Sequence, residues 1–99
     1  MKPIKMKTGI EQIAEERAKQ IVKHGYTSGH DSGYTNKELL YAALAYLKTA
    51  IGTDNTLIAS YPVEDWPWDI STFHDDGYVE NLKKVGAFIA AELDRLNIN

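Results

Sequence analysis

The chain contains no cysteine, which excludes disulfides and thiolate metal sites. It has no apolar run approaching the ~20 residues needed to span a bilayer. The richest stretch, residues 39–47, is about half that length, so no membrane partner is predicted. Positive charge is in short supply. Eleven Lys and Arg stand against fourteen Asp and Glu, a net charge of −3. Binding to a nucleic-acid backbone needs a basic surface, so that partner class is not expected either. Residues 1–7 carry Lys2, Lys5 and Lys7 without the apolar core of a signal peptide, and a cytoplasmic protein is expected. There is no strand-type alternation, no internal repeat, no glycine-rich phosphate loop and no nucleophile elbow. Ser28, Ser32, Ser60 and Ser71 have no partner pattern that would activate a hydroxyl.

What is present reads as helix. With 99 residues, 43% hydrophobic and 25% charged, the chain has the make-up of one ordinary globular domain, residues 1–99, with residues 1–7 as a flexible N-terminal arm. A domain this small has a poor ratio of core to surface, which favours association with a second copy. Two Thr-x-x-Glu capping boxes, Thr8 to Glu11 and Thr35 to Glu38, mark two helix starts. Gly25 and Gly52 are placed to end those helices. The spacing predicts helices over 9–24 and 36–51, and a third over 77–96 capped by Asp75 or Asp76. The second is apolar nearly all round, with Leu39, Leu40, Ala43, Leu47 and Ala50 on one face and Ala42, Ala45 and Thr49 on another. That pattern predicts burial on two sides, in a bundle or across a homodimer interface. The third has the stripe Tyr78, Leu82, Val85, Ile89, Leu93, Leu96, with Gly86 beside it for close approach of another backbone. Packing of Leu40, Ala43, Leu47, Val85 and Ile89 is expected to supply most of the stability. The fold class is therefore all-α, a small three- or four-helix bundle with a long aromatic-rich connection between helices 2 and 3. That connection, 53–76, is expected to hold a short helix near 57–60.

Arg17 is the chemically informative residue. In the first helix it shares an arc with Ile10, Ile13, Ala14, Ile21 and His24, and Gln20 lies at the edge of that arc. A guanidinium keeps its charge, so an inward arginine requires a carboxylate, a phosphate or water. Two readings stand open: an internal ion pair with Glu38 or Glu92, or an anion subsite that grips a ligand at two points. The glycine-rich segment 25–34 carries Tyr26, His30, Asp31 and Tyr34, either as a turn packed on the core or as a functional loop. Trp66-Pro67-Trp68 either plugs the open end of the bundle or covers a planar ligand. His30-Asp31 and His74-Asp75-Asp76 set imidazole beside carboxylate, which is metal-ligand chemistry. His-Asp is also part of the signature of a large all-helical phosphohydrolase superfamily. That superfamily has a longer chain and carries the pair on a helix, and Asp75 and Asp76 already serve as caps, so no metal site is assigned.

Taken together, Arg17-Ala-Lys-Gln20-Ile21, Gly25-Tyr26-Thr27, His30-Asp31, Glu38-Leu39, Ala42-Ala43, Tyr46, Trp66-Pro67-Trp68, Asn81-Leu82, Lys84 and Glu92-Leu93-Asp94-Arg95-Leu96 resemble a group of small phage and prophage proteins over residues 16–96. In that group an aromatic residue, often tryptophan, follows the glycine; here it is Tyr26. The resemblance implies a phage-associated, cytoplasmic helical protein. The chain is more distantly similar to the MazG-like nucleotide pyrophosphohydrolases, which are all-helical and bind magnesium through clustered carboxylates. Glu15-Glu16 matches their first acidic pair, but Lys19 and Tyr41 stand where further acidic ligands are needed, so the magnesium site does not carry over.

The functional expectation is binding of a small anionic, nucleotide-like ligand. Arg17 would hold the anion, Gln20, His24, Tyr26, His30 and Asp31 would orient it, and Trp66 and Trp68 would cover it. The cofactor is unknown from sequence. The competing expectations are a protein-interaction module anchored on exposed tryptophans, as in a phage effector that captures a host protein, and a metal-dependent nucleotide phosphohydrolase.

Overall fold

The computed structural model describes residues 6–24, 33–54 and 65–97, with the backbone alone at 23, 24, 53 and 54. Among these residues the fold is all-α. Three helices, α1 (Gly9–His24), α2 (Glu38–Asp54) and α3 (Tyr78–Leu96), are accompanied by a short 3-10 helix at Ile70–Thr72. The second and third are joined by an aromatic-rich connection. The expected short helix near 57–60 and the glycine stop at Gly25 lie outside the described residues. No helix among the described residues is long and apolar enough to cross a membrane.

The start of α1 forms as its capping box dictates. The Thr8 hydroxyl accepts from Glu11 N at 3.1 Å, and the Glu11 carboxylate accepts from Thr8 N at 2.9 Å. The second box does not close. Lys37 takes a left-handed φ of 66°, and Glu38 turns back to accept from Asn36 N at 2.7 Å. The helix therefore begins two residues later than expected, and it continues through Gly52 to Asp54. Before α3, Gly77 adopts φ 96° and is itself the N-cap, without a side-chain cap, so neither Asp75 nor Asp76 caps the helix as expected. Asp75 instead braces the turn, its carboxylate accepting from Gly77 N at 3.1 Å and from the buried Asn81 amide at 2.8 Å.

Both α1 and α2 lie on α3, and among the described residues the backbones of α1 and α2 do not approach each other closely. The contact with α2 is antiparallel: Glu38 at the start of α2 acts electrostatically on Arg95 at the end of α3, and Tyr46 stacks on Phe88 further back. Leu39, Ala42, Ala43 and Tyr46 of α2 meet Phe88 and Ala91 of α3 in the core. Trp66, Trp68, Phe73 and Tyr34 pack against that cluster. Alanine predominates at the helix contact, so the backbones come close and the aromatic rings of the connection fill the remaining space.

This packing relocates two expected faces. Leu40, Leu47 and Ile89, predicted as core, are each about two-fifths exposed, and the whole α3 stripe from Tyr78 to Leu96 faces outward except for Val85, which is half-buried. On α1, Ile10 is 82% exposed and Ile21 lies at the surface, whereas Glu16, Arg17 and Gln20 are buried. The reason is local. Ile13 seats directly against Gly86, where an added Cβ would meet Ile13 Cδ1 at 2.5 Å. That contact turns the Ile13–Glu16–Arg17–Gln20 arc of α1 toward the rest of the molecule.

Candidate functional site

Arg17 is 7% exposed, and its Nε donates to Asp94 Oδ2 at 3.2 Å. Neither carboxylate named from sequence takes it. Glu92 is bound by both Nε and Nη2 of Arg95, at 2.7 and 2.8 Å, and Glu38 serves the backbone ahead of α2. The Arg95 fork holds the Glu92 carboxyl below its ordinary range, hydrogen bonding outweighing the opposing effect of burial.

One turn further along α1, Gln20 is 4% exposed, and its Oε1 is buried without a hydrogen-bond partner. An unpaired buried polar oxygen costs about 1–3 kcal/mol, so its surroundings are informative. Gln20 lines a cleft of about 440 Å³, within the ~300–1,000 Å³ typical of small-molecule sites. One wall is α1, with Glu16 and Lys19 beside Gln20. The floor is aromatic: Tyr46 of α2, Trp66 of the connection and Phe88 of α3. The opposite wall comprises Glu80 and Lys84 of α3, with Ser71, Thr72, His74 and Asp76 along the rim. A larger hollow of about 630 Å³ runs along the outer side of α1, past Gln12 and Lys83, but it contains no unpartnered buried polar atom among the described residues.

The floor and rim are held in place from several sides. Trp66 Nε1 donates to Asp69 O and Thr72 Oγ1, each at 3.1 Å. Its ring meets those of Tyr46, Trp68 and Phe73 within 5.5 Å. The Tyr46 hydroxyl accepts from His74 N at 3.1 Å, and Lys84 Nζ donates to His74 O at 2.9 Å. Asn81 is fully buried and accepts from Asp76 N at 3.2 Å. Lys84 also pairs with Asp76 and lies over the Tyr46 ring at 4.9 Å. That ammonium holds the Asp76 carboxyl below its usual value. Lys19 faces Glu16 at 3.6 Å. Both cleft cations therefore sit opposite an acid, and the walls carry mixed charge around an aromatic base.

Of the residues expected to bind a ligand, Gln20 and Trp66 line this cleft, and His74 and Asp76 of the second His-Asp cluster lie on its rim. Arg17 is adjacent to Gln20 on the same helix face but is directed to Asp94. Trp68 packs away from the cleft against Tyr34 at 5.3 Å and Phe88 at 6.1 Å. The side chain of His24, and Tyr26, His30 and Asp31, lie outside the described residues. Glu16, Tyr46, Glu80, Lys84 and Phe88 went unnamed as site residues. The available signal was the spacing of Glu80, Lys84 and Phe88, one row along α3 at intervals of four. Among the described residues, no group of three or more His, Asp or Glu side chains is gathered as a metal site would require. No protein-family model, curated protein or solved structure matches this chain.

Proposed function

We propose that the chain is a small-molecule-binding protein whose cleft takes a flat, nucleotide-like ligand. The observation that carries this reading is Gln20, which lines an aromatic-floored hollow and whose side-chain oxygen is buried and unpartnered. Such an oxygen suits an N–H or O–H donor on a heteroaromatic ring lying on Trp66 and Phe88. In this reading the anionic part of the ligand falls to Lys19, Lys84 and His74, which border the cleft, and Arg17 supports the α1 wall through Asp94. The half-buried, mutually packed tryptophans favour this reading over docking on exposed aromatic anchors.

Calorimetric titration of the full chain with a panel of nucleobases, nucleosides and nucleotides tests the proposal. One class should bind. Gln20→Leu should weaken that binding about 5- to 150-fold, the worth of one buried hydrogen bond, and Trp66→Ala should weaken it as well. A panel that gives no heat, or a Gln20→Leu variant that binds as well as the unchanged chain, overturns the reading.

A further inference from the structure

The basic groups that line the cleft bear on one acid. Lys84 Nζ pairs with Asp76 Oδ2 and donates to His74 O at 2.9 Å, while its charge lies over the Tyr46 ring. An ammonium has three donors, so little of Lys84 is left for a ligand unless Asp76 gives way. Lys19 of α1 and the His74 imidazole also act on the Asp76 carboxyl, in the same direction as Lys84. The other two acids of the cleft, Glu16 and Glu80, have the nearer cations Lys19 at 3.6 Å and Lys83 at 2.9 Å. Asp76 is also tethered, because its backbone N–H donates to the buried Asn81. Its side chain is 55% exposed whereas that of Lys84 is 14% exposed. The carboxylate can therefore turn out into solvent, and the ammonium stays behind.

We infer that the Asp76 carboxylate fills the cleft's anion subsite, standing where the charged group of a ligand would sit, and so selects for the unphosphorylated form of that ligand. This rests on the cleft reading of function and narrows its ligand class to nucleobases and nucleosides. A neutral ring lies on Trp66 and Phe88 with Asp76 in place. A phosphate reaches Lys84, Lys19 and His74 only by turning Asp76 out, and a tethered rival competes at high effective concentration. The displaced carboxylate keeps its charge close by and continues to oppose the newcomer.

Inorganic pyrophosphate, which carries the charge without the ring, is the probe. In NMR titrations of the full chain it should shift Lys84 and His74 weakly, and Asp76→Asn should tighten that binding about 5-fold, the worth of a half-exposed ion pair. Adding Lys84→Met to Asp76→Asn should abolish the gain. If Asp76→Asn fails to fold, the carbon-13 titration of Asp76 in the unchanged chain decides. Its midpoint should rise toward the ordinary aspartate value of 3.8 as pyrophosphate is added, because the carboxylate yields Lys84 and gains an anionic neighbour. Equal binding to both chains, no shift at Lys84 in either, or an unmoved Asp76 midpoint overturns the inference. So does a nucleoside diphosphate that binds the unchanged chain more tightly than its nucleoside. Pyrophosphate has no ring to rest on Trp66, so these results can fail while the Gln20→Leu and Trp66→Ala measurements succeed, and the reverse.

Discussion

At the scale of single residues, the helix-three carboxylates divide the work. Glu92 takes both arms of Arg95, and Asp94 takes Arg17. Because the Arg95 hydrogen bonds hold the Glu92 carboxyl below the ordinary glutamate value of 4.5, the folded chain binds that proton less tightly than the unfolded chain. The stabilisation is complete above 4.5 and is lost as pH falls through the depressed folded value. Melting temperature should therefore decline on the acid side, and Glu92→Gln should flatten the part of that decline below about pH 4.5. An unchanged acid limb in thermal melts of Glu92→Gln would refute this assignment. That Arg17 needs a partner was legible in the sequence, because a permanent charge at helical spacing among isoleucines has few alternatives. Which acid serves was not legible, because the answer depends on how α3 is rotated about its own axis.

At the scale of elements, helix existence followed from capping and spacing. The predicted limits of α1 match its observed limits, and α3 starts one residue after the predicted position. The inward faces were harder to read. Amphipathicity names the apolar side of a helix, not the side that meets its neighbour, and on α3 the two differ: Asn81, Phe88, Ala91 and Glu92 are buried while Leu93 is 58% exposed. Small residues fixed the geometry instead. Gly86 was marked in the sequence for close approach of another backbone; what meets it is instead the Ile13 side chain. Adding a methyl there forces Ile13 aside, an overpacking cost of about 1–3 kcal/mol set against a gain of about 1 kcal/mol in helix propensity. Gly86→Ala should therefore be neutral to destabilising in the unchanged chain. In an Ile13→Ala background, where the space is vacated, the same substitution should stabilise by about 1 kcal/mol. Urea denaturation of the four proteins in this cycle measures the change of sign; equal effects in both backgrounds would show that Ile13 does not fill the glycine's space.

At the scale of the whole molecule, the cleft depended on long-range placement that periodicity does not reveal. Gln20 and Trp66 were legible as chemistry, one a polar residue at the edge of an apolar arc and the other part of a rigid aromatic tripeptide. Lys84, Glu80 and Phe88 became part of the site only because α1 settles across α3 and the connection folds back over Tyr46. The same arrangement gives the three helices unequal anchorage. α2 is sealed to α3 by rings and leucine, whereas among the described residues α1 has its close backbone approach to α3 alone. A lone seam rich in polar side chains opens at lower cost than an aromatic core. Amides near residues 13–20 should thus exchange with deuterium through a partial opening while those near 85–92 await global unfolding, and equal protection in both stretches would count against it. On the proposed function, a ligand seated beside Gln20 would touch α1, Tyr46 and α3 at once, and would so tie the first helix to the rest of the fold.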